Sequence, residues 1–298
     1  MKKIYSASIT PFTEEGKIDK ESLERLIEFD LARGIEGFFF LGTMGEWAVL
    51  SSSMKNDLLE TAGSVIGNRA EIIIGAHSTG LSGILDNIES YSRYNGSAFA
   101  VQLPGGWAKP EDPVSYMHEI ADFSSKPVYL YYLPGVNGVS FSKEQFADLF
   151  SHPNIAGVKN SSDSLRARKE LLNLRKSVNF MLFEGQEWVV DESLFLGCDG
   201  ALVGMAPLGA KLFRLIADAV DEKNPVKAAE YQKIMIEIFD GIYGTDLSTV
   251  WVGQKYALKI LNVFSSEKTL VPSQKNAMTE KSKERIEKCV EKYHDYLV

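Results

Sequence analysis

The stretch PVYLYYLPGVNGVSFSKEQFADLFSHPNIAGVK, residues 127–159, decides the fold. Its first seven residues are apolar or aromatic and run into a Pro-Gly pair, the pattern of a strand stopped by a turn. A helix-start signal follows at Ser142-Lys-Glu-Gln-Phe, a hydroxyl residue ahead of an amphipathic stretch. A second apolar run, Ile155–Lys159, then closes the segment. Strand, helix and strand within about 30 residues make one βα unit. The same rhythm extends in both directions, with candidate strands at Ile4–Ile9, Gly37–Leu41, Glu71–Ala76, Ala98–Leu103, Pro127–Leu133, Ile155–Lys159, Phe180–Glu184 and Gly200–Gly204. Eight units in succession predict an α/β protein of the (β/α)8 TIM-barrel type. A doubly wound sheet is the competing arrangement, but no GxGxxG follows the first strand. Beyond Gly204 the segments Val226–Tyr243, Trp251–Leu261 and Thr279–Tyr296 read as helices with no strands between them. The predicted organisation is a barrel over 1–224 and a helical extension of the same domain over 225–298.

Composition excludes several classes of function. The formal net charge is −8 and no basic patch stands out, which argues against nucleic acid as a partner. Four His and two Cys residues are scattered, so no metal site is expected. Cys198 and Cys289 lack a CxxC partner, a pattern that suits reduced thiols and a cytoplasmic location. The opening MKKIYSASITPF contains no apolar signal core, and no run of about 18 apolar residues suggests a membrane span.

Barrel enzymes place their chemistry at the C-terminal ends of the strands. Lys159 is unusual there, because it closes the otherwise apolar strand Ile155-Ala-Gly-Val-Lys159. Period-two alternation puts Ile155, Gly157 and Lys159 on one face, with Gly157 leaving room beside the amine. Burial disfavours the charged form of an amine, and a neutral amine can attack a ketone carbon to form an imine. A strand-terminal lysine can equally reach out to solvent or pair with a carboxylate. Tyr131 ends the neighbouring strand, within reach of that amine; it reads either as a proton shuttle or as a core aromatic. The turn Gly42-Thr43-Met44-Gly45 offers successive backbone N–H groups and the Thr43 hydroxyl, which suit a carboxylate. Trp47, Trp107, Tyr132 and Trp188 lie at the predicted rim, where aromatics stack on a sugar or simply pack.

Taken in order, these elements resemble the dihydrodipicolinate synthase / N-acetylneuraminate lyase family of pyruvate-dependent class I aldolases. The resemblance covers nearly the whole chain. It rests on Ser8-Ile-Thr10-Pro-Phe12, Gly42-Thr-Met-Gly-Glu46, the Y-x-x-P-G of Tyr131–Gly135, Gly157-Val-Lys159, Gly197-Cys-Asp-Gly200 and Val271-Pro272. It implies that Lys159 forms an imine with pyruvate and that Tyr131, helped by Thr43, shuttles protons. It further implies that the Thr43 and Met44 amides hold the pyruvate carboxylate, with Gly185, Glu187, Leu202 and Trp107 as further substrate-binding positions. No metal or organic cofactor is then needed, the other partner is an aldehyde, and the expected assembly is a homotetramer, a dimer of dimers.

Departures from the pattern bear on the substrate. Synthases of this type usually carry a second threonine where Met44 stands, an arginine where Val136 stands, and a tyrosine pair where Pro104-Gly105-Gly106-Trp107 runs. Sialic acid lyases keep Ser-Thr in the turn and Gly-x-Asp-Glu after strand seven, against Thr43-Met44 and Gly185-Gln-Glu187-Trp here. The leading expectation is therefore an aldolase acting on a 2-keto-3-deoxy sugar acid. Alternatives are N-acetylneuraminate lyase or dihydrodipicolinate synthase activity, an imine-dependent dehydratase, and a non-catalytic keto-acid-binding member of the family.

Overall fold

Parallel strands buried on both faces need apolar side chains in both directions, and the eight runs of this chain supply them. The computed structural model describes every residue from Met1 to Val298. Strands β1 (Lys3–Ala7), β2 (Gly37–Phe40), β3 (Glu71–Gly75), β4 (Ala98–Val101), β5 (Val128–Tyr132), β6 (Ile155–Asn160), β7 (Met181–Glu184) and β8 (Gly200–Val203) close into a barrel in chain order. β8 returns to β1 through parallel pairs such as Tyr5 with Leu202. Most strands end one or two residues short of the sequence expectation, because the loops begin there. Leu41, for example, turns to φ +58° and ends β2.

Side chains sort into two cores. Tyr5, Ala7, Phe39, Ile73, Ala98, Ala100, Tyr131, Phe183 and Leu202 fill the barrel interior. A far larger apolar layer, including Phe38, Phe40, Ile72, Ile74, Val128, Ile155 and Val158, lies between the strands and the surrounding helices. Local signals in the sequence explain several helix starts. Ser142 and Gln145 form a reciprocal capping box ahead of the helix Lys143–Leu149, and Asp19 caps Lys20–Leu31 through the Ser22 amide. Such caps satisfy backbone donors that a helix start otherwise leaves unpaired.

The simple alternation expected of β6 is broken. Val128 pairs with Ile155, yet Tyr129 pairs with Gly157, so Ala156 is an extra residue in the ladder. This β-bulge reverses the side-chain parity across it. Ile155 therefore faces the helices with Val128, while Gly157 and Lys159 follow the inward parity of Tyr129 and Tyr131. The role expected of Gly157 changes too. A Cβ on it would overlap the Met181 carbonyl oxygen on β7, so that glycine serves strand packing and makes no room for the lysine.

After the last barrel helix, Ala206–Asp221, come the helices Pro225–Tyr243, Val250–Ile260 and Glu280–Lys292, with a short turn of helix at His294–Leu297. The first packs along Ala206–Asp221. Tyr293, at φ −111° and ψ 18°, divides the segment Thr279–Tyr296, expected to be one helix. No helix is long and apolar enough to cross a membrane. Cys198 and Cys289 are buried and unbonded.

Gly157→Ala is expected to destabilise the fold by about 3 kcal/mol, the upper range for overpacking against an unyielding neighbour. Urea unfolding measures this; wild-type stability would mean that β6 and β7 do not approach as closely as described.

Candidate functional site

Pairing across β5 and β6 sets Tyr131 directly beside Lys159, and Lys159 opposite Phe183 on β7. The lysine is 5% exposed. Its Nζ lies 4.3 Å from the centre of the Tyr131 ring and 5.0 Å from that of Phe39, whose electron-rich faces attract a cation. No carboxylate pairs with it. The Tyr131 hydroxyl stands 3.3 Å from Thr43 Oγ1, and either can donate. Gly185, at the end of β7, clears space for the amine: a Cβ there would sit 3.2 Å from Lys159 Cε and would overlap Ser161 Oγ. The turn bearing Gly185 is braced from below by Glu184. That buried carboxylate accepts the Gly185 and Gln186 amides at 3.0 Å each, and the Arg168 guanidinium and Ser193 hydroxyl at 2.6 Å.

The turn Gly42–Gly45 lies between two residues of positive φ, Leu41 at 58° and Glu46 at 60°. Side chains seldom adopt that conformation, and it costs energy when they do. Long-range contacts hold it. Thr10 Oγ1 donates to the Gly45 carbonyl at 2.8 Å, and Trp251 Nε1 to the Thr43 carbonyl at 3.2 Å. Glu46 is fully enclosed: Lys255 Nζ meets its Oε1, while Thr269 Oγ1 and the Leu270 amide reach its Oε2 at 3.0 and 2.8 Å. Burial lowers the Lys255 pKa to about 8, against the pull of Glu46. Thr43 and Met44 donate their own N–H groups to no carbonyl or side chain of the protein. The turn thus presents free donors beside the Thr43 hydroxyl, and the C-terminal extension keeps it in place.

Around this floor, the remaining positions take several forms. Glu187 is buried, with its Oε1 accepting the Gly204 and Met205 amides at 2.7 and 3.2 Å. Burial raises its pKa, opposed by those amides and by the positive charge of Lys159. Met44 packs against the same place; a Cβ on Gly204 would stand 2.8 Å from Met44 Cγ. Leu202 lies within the filled barrel interior. Trp107, in the turn Gly106–Ala108, is 97% exposed. It borders a cavity of about 220 Å³ with Trp47, Ser78, Thr79, Gln102 and Leu103. Val136 stands exposed on a short helix, Pro134–Asn137.

Sequence reading passed over His77, two residues beyond the end of β3. Its ring packs against Phe39, Trp47 and Tyr131 at centroid distances of 6.1, 5.3 and 5.8 Å. A polar residue just past an apolar strand is the same signal that singles out Lys159. Burial lowers the His77 pKa to about 3, helped by the positive charges of Lys159 and Lys55. Lys255 and Trp251 carried no comparable signal, since their partners lie some two hundred residues away.

A sequence model of the Dihydrodipicolinate synthetase family matches residues 1–293. The 4-hydroxy-tetrahydrodipicolinate synthase of Xylella fastidiosa is 32% identical over 207 residues, which cover 68% of this chain and 67% of the relative. Among solved structures, a monomeric dihydrodipicolinate synthase variant superposes with a TM-score of 0.91 at 19% identity, covering 100% of this chain and 98% of its own. CdNal of Clostridium difficile, solved in complex with mannosamine, gives a TM-score of 0.88 at 24% identity over 98% of this chain and 99% of its own. At those identities the two structures establish the shared fold.

Lys255→Met leaves Glu46 buried without its cation and is expected to cost about 3–5 kcal/mol, the usual penalty for removing one partner of a buried pair. Denaturant unfolding measures it; a loss below about 1 kcal/mol would mean the pair does not hold the turn.

Proposed function

The chain belongs to the dihydrodipicolinate synthetase family, and from that premise we propose that it makes or cleaves a 2-keto-3-deoxy sugar acid, with Lys159 as its imine-forming amine. Family members are pyruvate-dependent class I lyases and condensing enzymes, and this chain is an enzyme of that class.

The observation that carries the assignment of Lys159 is its position, buried without a carboxylate partner, against a tyrosine that touches Thr43. The neutral amine attacks C2 of the keto acid, water leaves, and an iminium forms. Tyr131 and Thr43, 3.3 Å apart, take up and return the protons these steps require. The free Thr43 and Met44 amides and the Thr43 hydroxyl face the carboxylate. In the cleavage direction the C3–C4 bond pair moves toward the iminium nitrogen. The C4 hydroxyl proton passes to the Tyr131 oxygen, an aldehyde leaves, and the enamine of pyruvate stays on Lys159. Protonation at C3 and hydrolysis then release pyruvate and the free amine. No metal or organic cofactor enters this sequence.

A sugar-acid partner is supported by the rim. Val136 brings no charge for a second carboxylate, and Met44 and Trp107 replace hydroxyl-bearing residues expected of a synthase. The nearby cavity instead offers Ser78, Thr79 and Gln102 beside Trp47, polar groups with an aromatic face. CdNal, of the same fold, holds the amino sugar mannosamine. A second reading, synthase activity on pyruvate and aspartate semialdehyde, is favoured by the name of the Xylella relative. We propose a homotetramer, as the family resemblance implies; sedimentation velocity tests it.

Borohydride added with pyruvate should leave a reduced pyruvate adduct on the protein by mass spectrometry, and Lys159→Ala should abolish it. Absence of the adduct in the wild type would overturn the imine mechanism, dehydratase version included. Tyr131→Phe should lower kcat by about 10²–10⁴-fold, the usual contribution of a positioned acid–base group. Pyruvate release from 2-keto-3-deoxy sugar acids, water loss from them, or consumption of aspartate semialdehyde distinguishes aldolase, dehydratase and synthase.

A further inference from the structure

We propose that His77 is a further catalytic residue, a neutral hydrogen-bond donor whose Nε2–H meets the oxygen on the aldehyde-side carbon of the bond made or broken. The inference rests on Lys159 being the imine-forming amine.

Geometry sets the tautomer. The Gln102 backbone N–H donates to His77 Nδ1 at 2.9 Å, so in the neutral ring Nδ1 is the acceptor and the proton sits on Nε2. That Nε2 is buried and finds no partner in the protein. The residue is 3% exposed. An unpaired buried donor is costly, and such groups gather where a ligand supplies the missing partner.

Position ties it to the reaction centre. Ile73 points into the barrel, so alternation turns Gly75 inward as well. A Cβ on Gly75 would stand 2.8 Å from His77 Nε2. A glycine at 75 thus puts no side chain against that buried nitrogen or against the neighbouring Leu41 carbonyl oxygen. His77 and Lys159 lie against the same two rings, Phe39 and Tyr131. The cavity lined by Trp47, Ser78, Thr79 and Gln102 starts at the residue after His77, beyond the ends of β3 and β4. In the proposal, the aldehyde half of an acid held through C2 by Lys159 extends toward His77.

The chemistry suits a donor that keeps its proton. On cleavage, negative charge gathers on the C4 oxygen as its proton leaves for Tyr131 and the C3–C4 pair moves to the iminium. In the condensing direction the same oxygen is an aldehyde carbonyl that must be polarised. A neutral imidazole N–H serves both without gaining or losing a proton, as the neutral histidine of triosephosphate isomerase does. The groups facing the ring are Lys159 from β6, Lys55 from the helix Ser52–Ile66, and Tyr131 from β5. Both lysine charges oppose a second proton on His77.

The test separates imine formation from carbon–carbon chemistry. In His77→Phe, borohydride trapping of pyruvate and deuterium exchange into its methyl group should match the wild type. Condensation of pyruvate with D-glyceraldehyde, and cleavage of 2-keto-3-deoxygluconate, should slow by about 10²-fold, the typical cost of one lost oxyanion donor. His77→Gln, whose side-chain amide can donate from a similar place, should recover most of the rate. The wild-type pH–rate profile between pH 5 and 8 should carry no limb that His77→Gln removes. Unchanged carbon–carbon rates in His77→Phe overturn the proposal, as does equal loss of methyl exchange, which would assign His77 to the pyruvate half or to the fold. Should His77→Phe fail to fold, His77→Met takes its place. Lack of trapping in the wild type marks failure of the Lys159 assignment instead, and the inference falls with it.

Discussion

Closing eight short parallel strands on themselves leaves the interior side chains nothing to pack against but one another. Tyr5, Phe39, Phe183 and Leu202 fill that space, and strand glycines let the backbones approach. Gly157 and Gly200 face carbonyl oxygens of Met181 and Lys3 where no Cβ fits. Polar groups border the filling at both ends, with Lys3, Glu71 and the Tyr5 hydroxyl at the N-terminal end and Lys159 at the C-terminal end. There the pairing of Tyr131 with Lys159 sets a phenol and an amine side by side without either being on a flexible loop. A site built on strands inherits the rigidity of the barrel.

Most of the electrostatic organisation near the floor concerns holding loops. Glu184 with Arg168 ties down the turn after β7, Glu187 caps the amides after β8, and Glu46 with Lys255 secures the turn after β2. Buried ion pairs gain little net stability over apolar packing, yet breaking one is expensive. Two of these three contacts are ion pairs and the third is a carboxylate on backbone amides; each fixes a loop at the C-terminal end of the barrel, at Gly185, the Gly42–Gly45 turn or Gly204. The segment after residue 224 contributes Trp251 and Lys255 from the helix Val250–Ile260 and Thr269 and Leu270 from the loop beyond it, so it completes the β2 turn structurally.

Lysine at the centre shapes its neighbours electrically. Its charge works against protonation of His77 and against the upward push of burial on Glu187. Burial thus moves both neighbours toward their neutral forms, reinforced by the lysine at His77 and only partly opposed by it at Glu187.

Apolar runs, helix-start residues and their spacing were enough to determine eight βα units and the placement of Lys159, Tyr131 and Thr43 near the C-terminal ends of their strands, though not the residues at which the strands stop. These are short-range properties, carried by the two- and 3.6-residue periodicities of local backbone. Tertiary structure decided the rest. The bulge at Ala156 turned Ile155 away from the lysine, because parity depends on how two strands pair and not on either alone. The glycine that makes room for the amine proved to be Gly185, in the turn that follows the next strand. His77 acquired its tautomer from an amide 25 residues away, and Glu46 its cation from a lysine 209 residues away. Such partners meet only when the barrel closes, and no local pattern encodes them.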